Sequence, residues 1–181
     1  MATPPTFSSG AVLTAAQMNS VGLWLIKTQT IGNAVSSVSV TGAFSADYEN
    51  YQIIISGGVA SVAGDLRFTL SGSTASYYSS IIYAPFATGT VAGVAGANIA
   101  YWTPGDGSTS ALAMNLFLSS PFLTKTTQMT ANRMINNTTG SSATTSGFHN
   151  VASSYTGFVI TPASGTLTGG TIAVYGYKGT V

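Results

Sequence analysis

The sequence predicts an all-β fold: an antiparallel, jelly-roll-like β-sandwich preceded by an extended N-terminal arm and one short helix. Three observations lead to it. The 181 residues include 8 Phe, 9 Tyr and 2 Trp, with Val and Ile throughout, and such side chains favour pleated surfaces over helices. Twenty-one Gly supply turns. From Leu23 onward, apolar runs alternate with turn signals at the spacing of a sandwich or barrel. A jelly roll is the leading topology and an immunoglobulin-like sandwich the second.

Residues 1–10 (MATPPTFSSG) read as an extended arm, because Pro4 and Pro5 oppose both helix and central strand. A helix over Ala15 to Val21 follows. Thr14 and Gln17 have the spacing of a capping box, Leu13 and Met18 that of a hydrophobic staple, and Gly22 is a C-terminal stop. Two turns do not persist alone in water, so this helix is expected to dock on a partner. Residues 1–22 are therefore read as an anchoring segment and residues 23–181 as the β-body.

Within the body, Leu66, Phe68 and Leu70 share one face while Arg67 and Thr69 share the other. Leu112, Met114, Leu116 and Leu118 also alternate, but Ala113 and Phe117 make their opposite face apolar too, so both faces are expected to be covered. Further strands are expected at Leu23–Ile31, Val35–Val40, Tyr51–Ser56, Tyr77–Tyr83, Asn98–Trp102, Thr124–Ile135, Tyr155–Ile160 and Thr171–Tyr177. Gly57-Gly58, Pro104-Gly105-Asp106-Gly107, Asn136-Asn137 and Gly169-Gly170 read as the turns between them.

Composition narrows function. Only 5% of residues are charged, with 5 Lys+Arg against 4 Asp+Glu, where a soluble domain typically has roughly a quarter. Clustered Lys and Arg for phosphate binding are missing, so no nucleic-acid partner is expected. Zero Cys excludes disulfides and thiolate metal sites. No basic region precedes the uncharged N-terminal residues, which read as an ordinary mature terminus, and the uncharged stretches are too interrupted for membrane helices. No membrane insertion, cofactor or metal is expected.

Sites of chemistry are few. Asp47 and Glu49 flank Tyr48, but two carboxylates fall far short of a calcium shell and read as a turn. Asp106 reads as a hairpin tip. His149 is the one group that ordinarily titrates near neutrality, and with no GxSxG, HExxH, Cys nucleophile or phosphate loop in the chain no catalytic residue is assigned. Asn136-Asn137-Thr138-Thr139 contains two overlapping glycosylation acceptors, read as a polar loop. Trp24, Tyr101 and Trp102, or the tyrosines at Tyr77 and Tyr78, offer a sugar-stacking platform, against the alternative of core packing or a subunit contact. In the C-terminal run, Ile172 and Val174 occupy one face and Tyr175 and Tyr177 the other, fitting either an oligomer interface or a core strand.

The segment Phe7-Ser8-Ser9-Gly10-Ala11-Val12-Leu13-Thr14-Ala15-Ala16-Gln17-Met18-Asn19 resembles the opening of small bacteriophage virion structural proteins of the tail-fibre, minor tail or head-decoration type, with the form F-x-x-G-x-V-L-T-A-A-x-x-N. The closing Gly169-Gly170-Thr171-Ile172-Ala173-Val174-Tyr175-Gly176-Tyr177-Lys178 is similar to the last strand common in them. The resemblance implies a non-enzymatic, trimeric accessory protein of a virion assembled in the host cytoplasm, either a decoration or cement protein on the head or a short tail-fibre module. Its partners would be further copies of itself and capsid or tail proteins, gripped through Pro4, Pro5, Phe7, Val12, Leu13 and Met18. The alternative expectation is a carbohydrate-binding module that recognises a host-surface glycan.

Overall fold

The computed structural model describes Gly10, Val12, residues 22–135 and residues 140–177. The expected helix over residues 15–21 lies outside the described residues, as do Pro4, Pro5, Phe7, Leu13, Met18 and the Asn136 to Thr139 loop. The regular elements among the described residues are all strands: β1 (Leu23–Thr30), β2 (Val38–Val40), β3 (Asn50–Ser56), β4 (Val59–Ala60), β5 (Gly64–Leu70), β6 (Tyr77–Pro85), β7 (Ala92–Ile99), β8 (Trp102–Gly107), β9 (Leu112–Ser119), β10 (Thr127–Ile135), β11 (Ser141–His149), β12 (Phe158–Pro162), β13 (Leu167–Thr168) and β14 (Thr171–Tyr177).

Eight strands make a large antiparallel sheet in the order β1-β14-β3-β9-β10-β11-β6-β7, and four make a small one, β2-β12-β5-β8. They join at β9. Met114 pairs with Ile55 of β3 on one edge and with Gly105 of β8 on the other, while from Asn115 onward that second edge belongs to β10. Past this fork β8 turns over the large sheet, giving two layers around one core.

Alternation along each strand explains what fills the space between them. Tyr51, Ile53, Leu116, Leu118, Met129, Ile172 and Val174 point inward from the large sheet and Leu66, Phe68, Leu70, Trp102, Phe158 and Ile160 from the small one, each nearly inaccessible. Phe68 stacks on Phe158 at 4.9 Å, and Trp102 meets Tyr77 edge-on at 5.0 Å, geometries that add to simple area burial. Tyr51 caps the core: its hydroxyl lies 3.0 Å from the carbonyls of Ser45 and Tyr48 and accepts the Ser45 N–H at 2.9 Å.

Several expectations are corrected. Residues 98–102 are not one strand; they straddle the turn between β7 and β8, and Pro104-Gly105-Asp106-Gly107 is the buried end of β8 rather than a turn. The glycines there are needed for contact, since a Cβ on Gly105 would sit 2.7 Å from the Ala113 carbonyl oxygen. The outer face of β9 is not covered: Phe117 is 41% exposed and Ala113 and Asn115 are exposed as well. Strand β11 reads poorly in sequence because its inward positions are Ser141, Ala143, Thr145, Gly147 and His149. They are small where Trp102 lies across them, the Trp102 Nε1 being 3.0 Å from a Cβ placed on Gly147. The expected turns at Gly57-Gly58 and Gly169-Gly170 both hold, and they touch: all four have positive φ, and a Cβ on Gly58 would meet the Gly169 carbonyl oxygen at 2.2 Å.

Candidate functional site

The outer face of the large sheet is the most distinctive surface of the molecule. Cross-strand register places Tyr175, Gln52, Phe117, Thr130, Ser146 and Ser80 in one row across six strands. The neighbouring row runs Tyr177, Asn50, Ser119, Gln128, Phe148 and Tyr78. None of these side chains, nor Ile54, Asn115, Asn132 and Thr144 in the row beyond, is ionisable near neutral pH. The charges of the described residues lie elsewhere. Lys27 donates to the Thr41 carbonyl, Glu49 and Lys125 approach at 3.7 Å on the rim, and Arg133 points inward.

Amides and hydroxyls on this face bond to one another. Tyr177 donates to Gln52 Oε1 at 3.3 Å, Gln52 Nε2 to Asn115 Oδ1 at 3.0 Å, and Thr144 to Asn132 Oδ1 at 3.2 Å. Shallow grooves run between the ridges. One, about 560 Å³, passes Tyr78, Ser80, Gln128, Thr130, Ser146 and Phe148. There the Tyr78 and Phe148 rings stack, centroids 4.8 Å apart with planes 1° from parallel. A second, about 460 Å³, lies beside Ile54, Asn115, Asn132, Met134 and Thr144. Neutral donors and acceptors interleaved with apolar groups can be covered by a partner without desolvating an ion, the costliest part of burying a polar surface.

Only part of this face was foreseen. Tyr175 and Tyr177 belong to it, but Ile172 and Val174 are wholly buried, the core alternative of the two readings rather than the interface one. The period of two fixes this split, since adjacent residues of a strand point to opposite faces. Val12, expected in the anchoring segment, is 89% exposed. Phe117, Gln128, Thr130 and Phe148 were missed; their signal is alternation alone, which does not say that the other face is the wet one.

The sugar platform foreseen from Trp24, Tyr101 and Trp102 is not assembled. Trp102 is fully buried in the small sheet and donates to the Tyr78 carbonyl at 3.1 Å. Tyr101 lies beneath the Arg67 guanidinium, 4.5 Å from its ring centre, and Trp24 sits on β1. Tyr77 is buried too, which pushes its hydroxyl pKa up; of the aromatic candidates, Tyr78 lines the groove.

His149 is buried beside Tyr77 and Tyr155, with Nε2 2.6 Å from Ser73 Oγ and 3.1 Å from the Ala75 carbonyl, and Nδ1 3.4 Å from the Tyr155 hydroxyl. A carbonyl only accepts, so Nε2 carries the proton and the free lone pair faces Tyr155. Ser73 thus meets a donor, the reverse of what activating its hydroxyl requires. Burial pushes the His149 pKa below its ordinary value, opposed by the Ala75 hydrogen bond.

Asp106, foreseen at a hairpin tip, is buried within β8 and pairs with Arg133 at 3.1 Å. Asp47 accepts from Ser45 at 3.2 Å in a local turn. Among the described residues no group of three or more His, Asp or Glu is placed to hold a metal ion, and no helix is long and apolar enough to cross a membrane. No family model, curated protein or solved structure matches the chain.

Proposed function

We propose that the protein is a self-associating structural subunit of a bacteriophage virion, non-enzymatic, trimeric, and held to capsid or tail proteins by residues 1–22. The observation that carries this reading is the uncharged outer face of an eight-stranded sheet, a surface suited to burial against protein. The virion assignment comes from the resemblance at the two ends of the chain, and the exposed Val12 supports an anchoring role for the first. A jelly-roll-like wrap is supported by nested pairing. Strands β1, β2 and β5 from the start of the chain pair with β14, β12 and β12 from its end, and β6 with β11 inside them, as when one long hairpin is wound on itself; β4 and β13 form a separate two-stranded sheet outside this nest.

A second reading, recognition of a host-surface glycan, is favoured by the Tyr78–Phe148 stack above neutral hydroxyls and an amide in the groove beside them, because sugars bind flat apolar rings edged by such groups.

Ser80→Glu/Thr130→Glu tests both. The two exposed positions lie on β6 and β10, separated by β11, so the new charges sit about 10 Å apart. The expected result is an unchanged far-ultraviolet spectrum, loss of the oligomer, and exclusion from purified particles. An oligomer of unchanged mass overturns assembly through this face, and glycan binding lost with the mass unchanged would favour the second reading.

A further inference from the structure

The half of the outer face nearest the start of the chain is its most apolar part. Leu23 and Leu25 of β1 stand opposite Tyr177 and Tyr175 of β14, and the Phe117 ring of β9 lies 6.4 Å from that of Tyr177. Leu23, Leu25 and Phe117 are 43%, 55% and 41% exposed, and both tyrosines are half-buried. Register and ring contact make the five side chains one patch across β1-β14-β3-β9, about 14 Å wide at the usual spacing between strands. On β10, β11 and β6 the face turns to Gln128, Thr130, Ser146 and Ser80 around the Tyr78–Phe148 stack. Contiguous apolar side chains in the open mark a contact surface.

We infer that this patch is covered by residues 13–21 of the same chain, the segment that leads into it. The inference rests on the reading of the outer face as a surface for burial against protein, and it names what covers one half of that face. The chemistry matches: no residue before Lys27 has a charged side chain, so the contact strips water from no side-chain ion. In the helix expected from the sequence, Ala15, Met18 and Val21 share one stripe, since residues three apart lie on the same face. Seven helical residues span about 10 Å, the distance across two strand spacings from β1 to β3. Length decides whose segment it is. Met18 is only five residues from Leu23, itself part of the patch, and the chain bends at Gly22 between them. Five residues reach at most about 18 Å, enough to bring Met18 over any part of the patch. A tether that short holds the segment at a millimolar effective concentration, which a second copy does not match in dilute solution. Val12, 89% exposed, then marks where the chain leaves the body. Residues 1–12 are left to grip capsid or tail proteins, residues 13–21 fasten that grip to the sheet, and the half with Ser80 and Thr130 is left to other copies.

The chain has no cysteine, so Phe117→Cys in the full chain reports the cover through its rate of alkylation, without background. Adding Met18→Lys is expected to raise that rate about tenfold or more, the scale of burying one Met side chain, with the far-ultraviolet spectrum unchanged and the same ratio at every protein concentration. A ratio that grows with concentration means that the segment comes from another copy, which overturns the inference and leaves self-association standing. Equal rates with and without Met18→Lys overturn it as well. Light scattering on the same samples separates the two failures: an oligomer leaves the proposed assembly intact, and a single-chain mass overturns that reading too.

Discussion

Arg133→Met is expected to lower the free energy of unfolding by about 3–5 kcal/mol, the range for removing one partner of a buried ion pair. The Arg133 side chain is 1% exposed; it donates through Nη1 to the Thr103 carbonyl at 2.6 Å and through Nη2 to Asp106 Oδ2 at 3.1 Å and to Asp65. Asp106, itself 3% exposed, must then bury its carboxyl group without the guanidinium, at a desolvation cost. Asp65 is partly open to solvent and rehydrates. Arg133→Met should therefore cost more than Asp106→Asn, which leaves Arg133 paired with Asp65, and in the double variant the two losses should fall short of additive. Urea unfolding of the three variants checks this. A loss below about 1 kcal/mol for Arg133→Met, the scale of an exposed pair, would mean that the guanidinium does not tie β10 to β5 and β8.

Acidification from about pH 7.5 to about pH 5 is expected to destabilise the fold through His149. Burial holds its folded-state pKa below the ordinary value of 6.5, so as pH falls through that value the unfolded chain takes up a proton that the folded chain refuses. Stability is full above the unfolded pKa and declines below it, by at most about 1.4 kcal/mol per pH unit, until the folded pKa is reached. His149 is the chain's sole histidine, and carboxylates ordinarily titrate lower, near 4. His149→Gln should lower stability at neutral pH, by loss of the contacts with Ser73 and Tyr155, yet flatten its dependence between these limits. Thermal unfolding across the range decides it: a flat profile for the unmodified protein contradicts the burial argument.

The fold class was legible because large side chains alternate in β3, β5, β9 and β14, where a period of two and bulky inward residues coincide. Strand β11 was hidden by its small inward residues, which make sense only with Trp102 across from them. Strand β8 was hidden by Pro104-Gly105-Asp106-Gly107, whose glycines answer to neighbouring strands rather than to a turn. The same limit governs the candidate site. Alternation identified Tyr175 and Tyr177 as opposite in facing to Ile172 and Val174, but which side meets solvent depends on where the four-stranded layer stops. That boundary is set by the fork at Met114, a tertiary feature. The pairing of Arg133 with Asp106 was invisible for a related reason, since 27 residues separate two side chains brought together only when the layers close.

Light scattering on the unmodified 181-residue chain tests the central claim, that this uncharged sheet assembles with copies of itself. The expected mass is that of the proposed trimer, three times 18.3 kDa. A mass of one chain across the accessible concentration range would contradict the claim and leave the Tyr78–Phe148 groove as the surface to pursue.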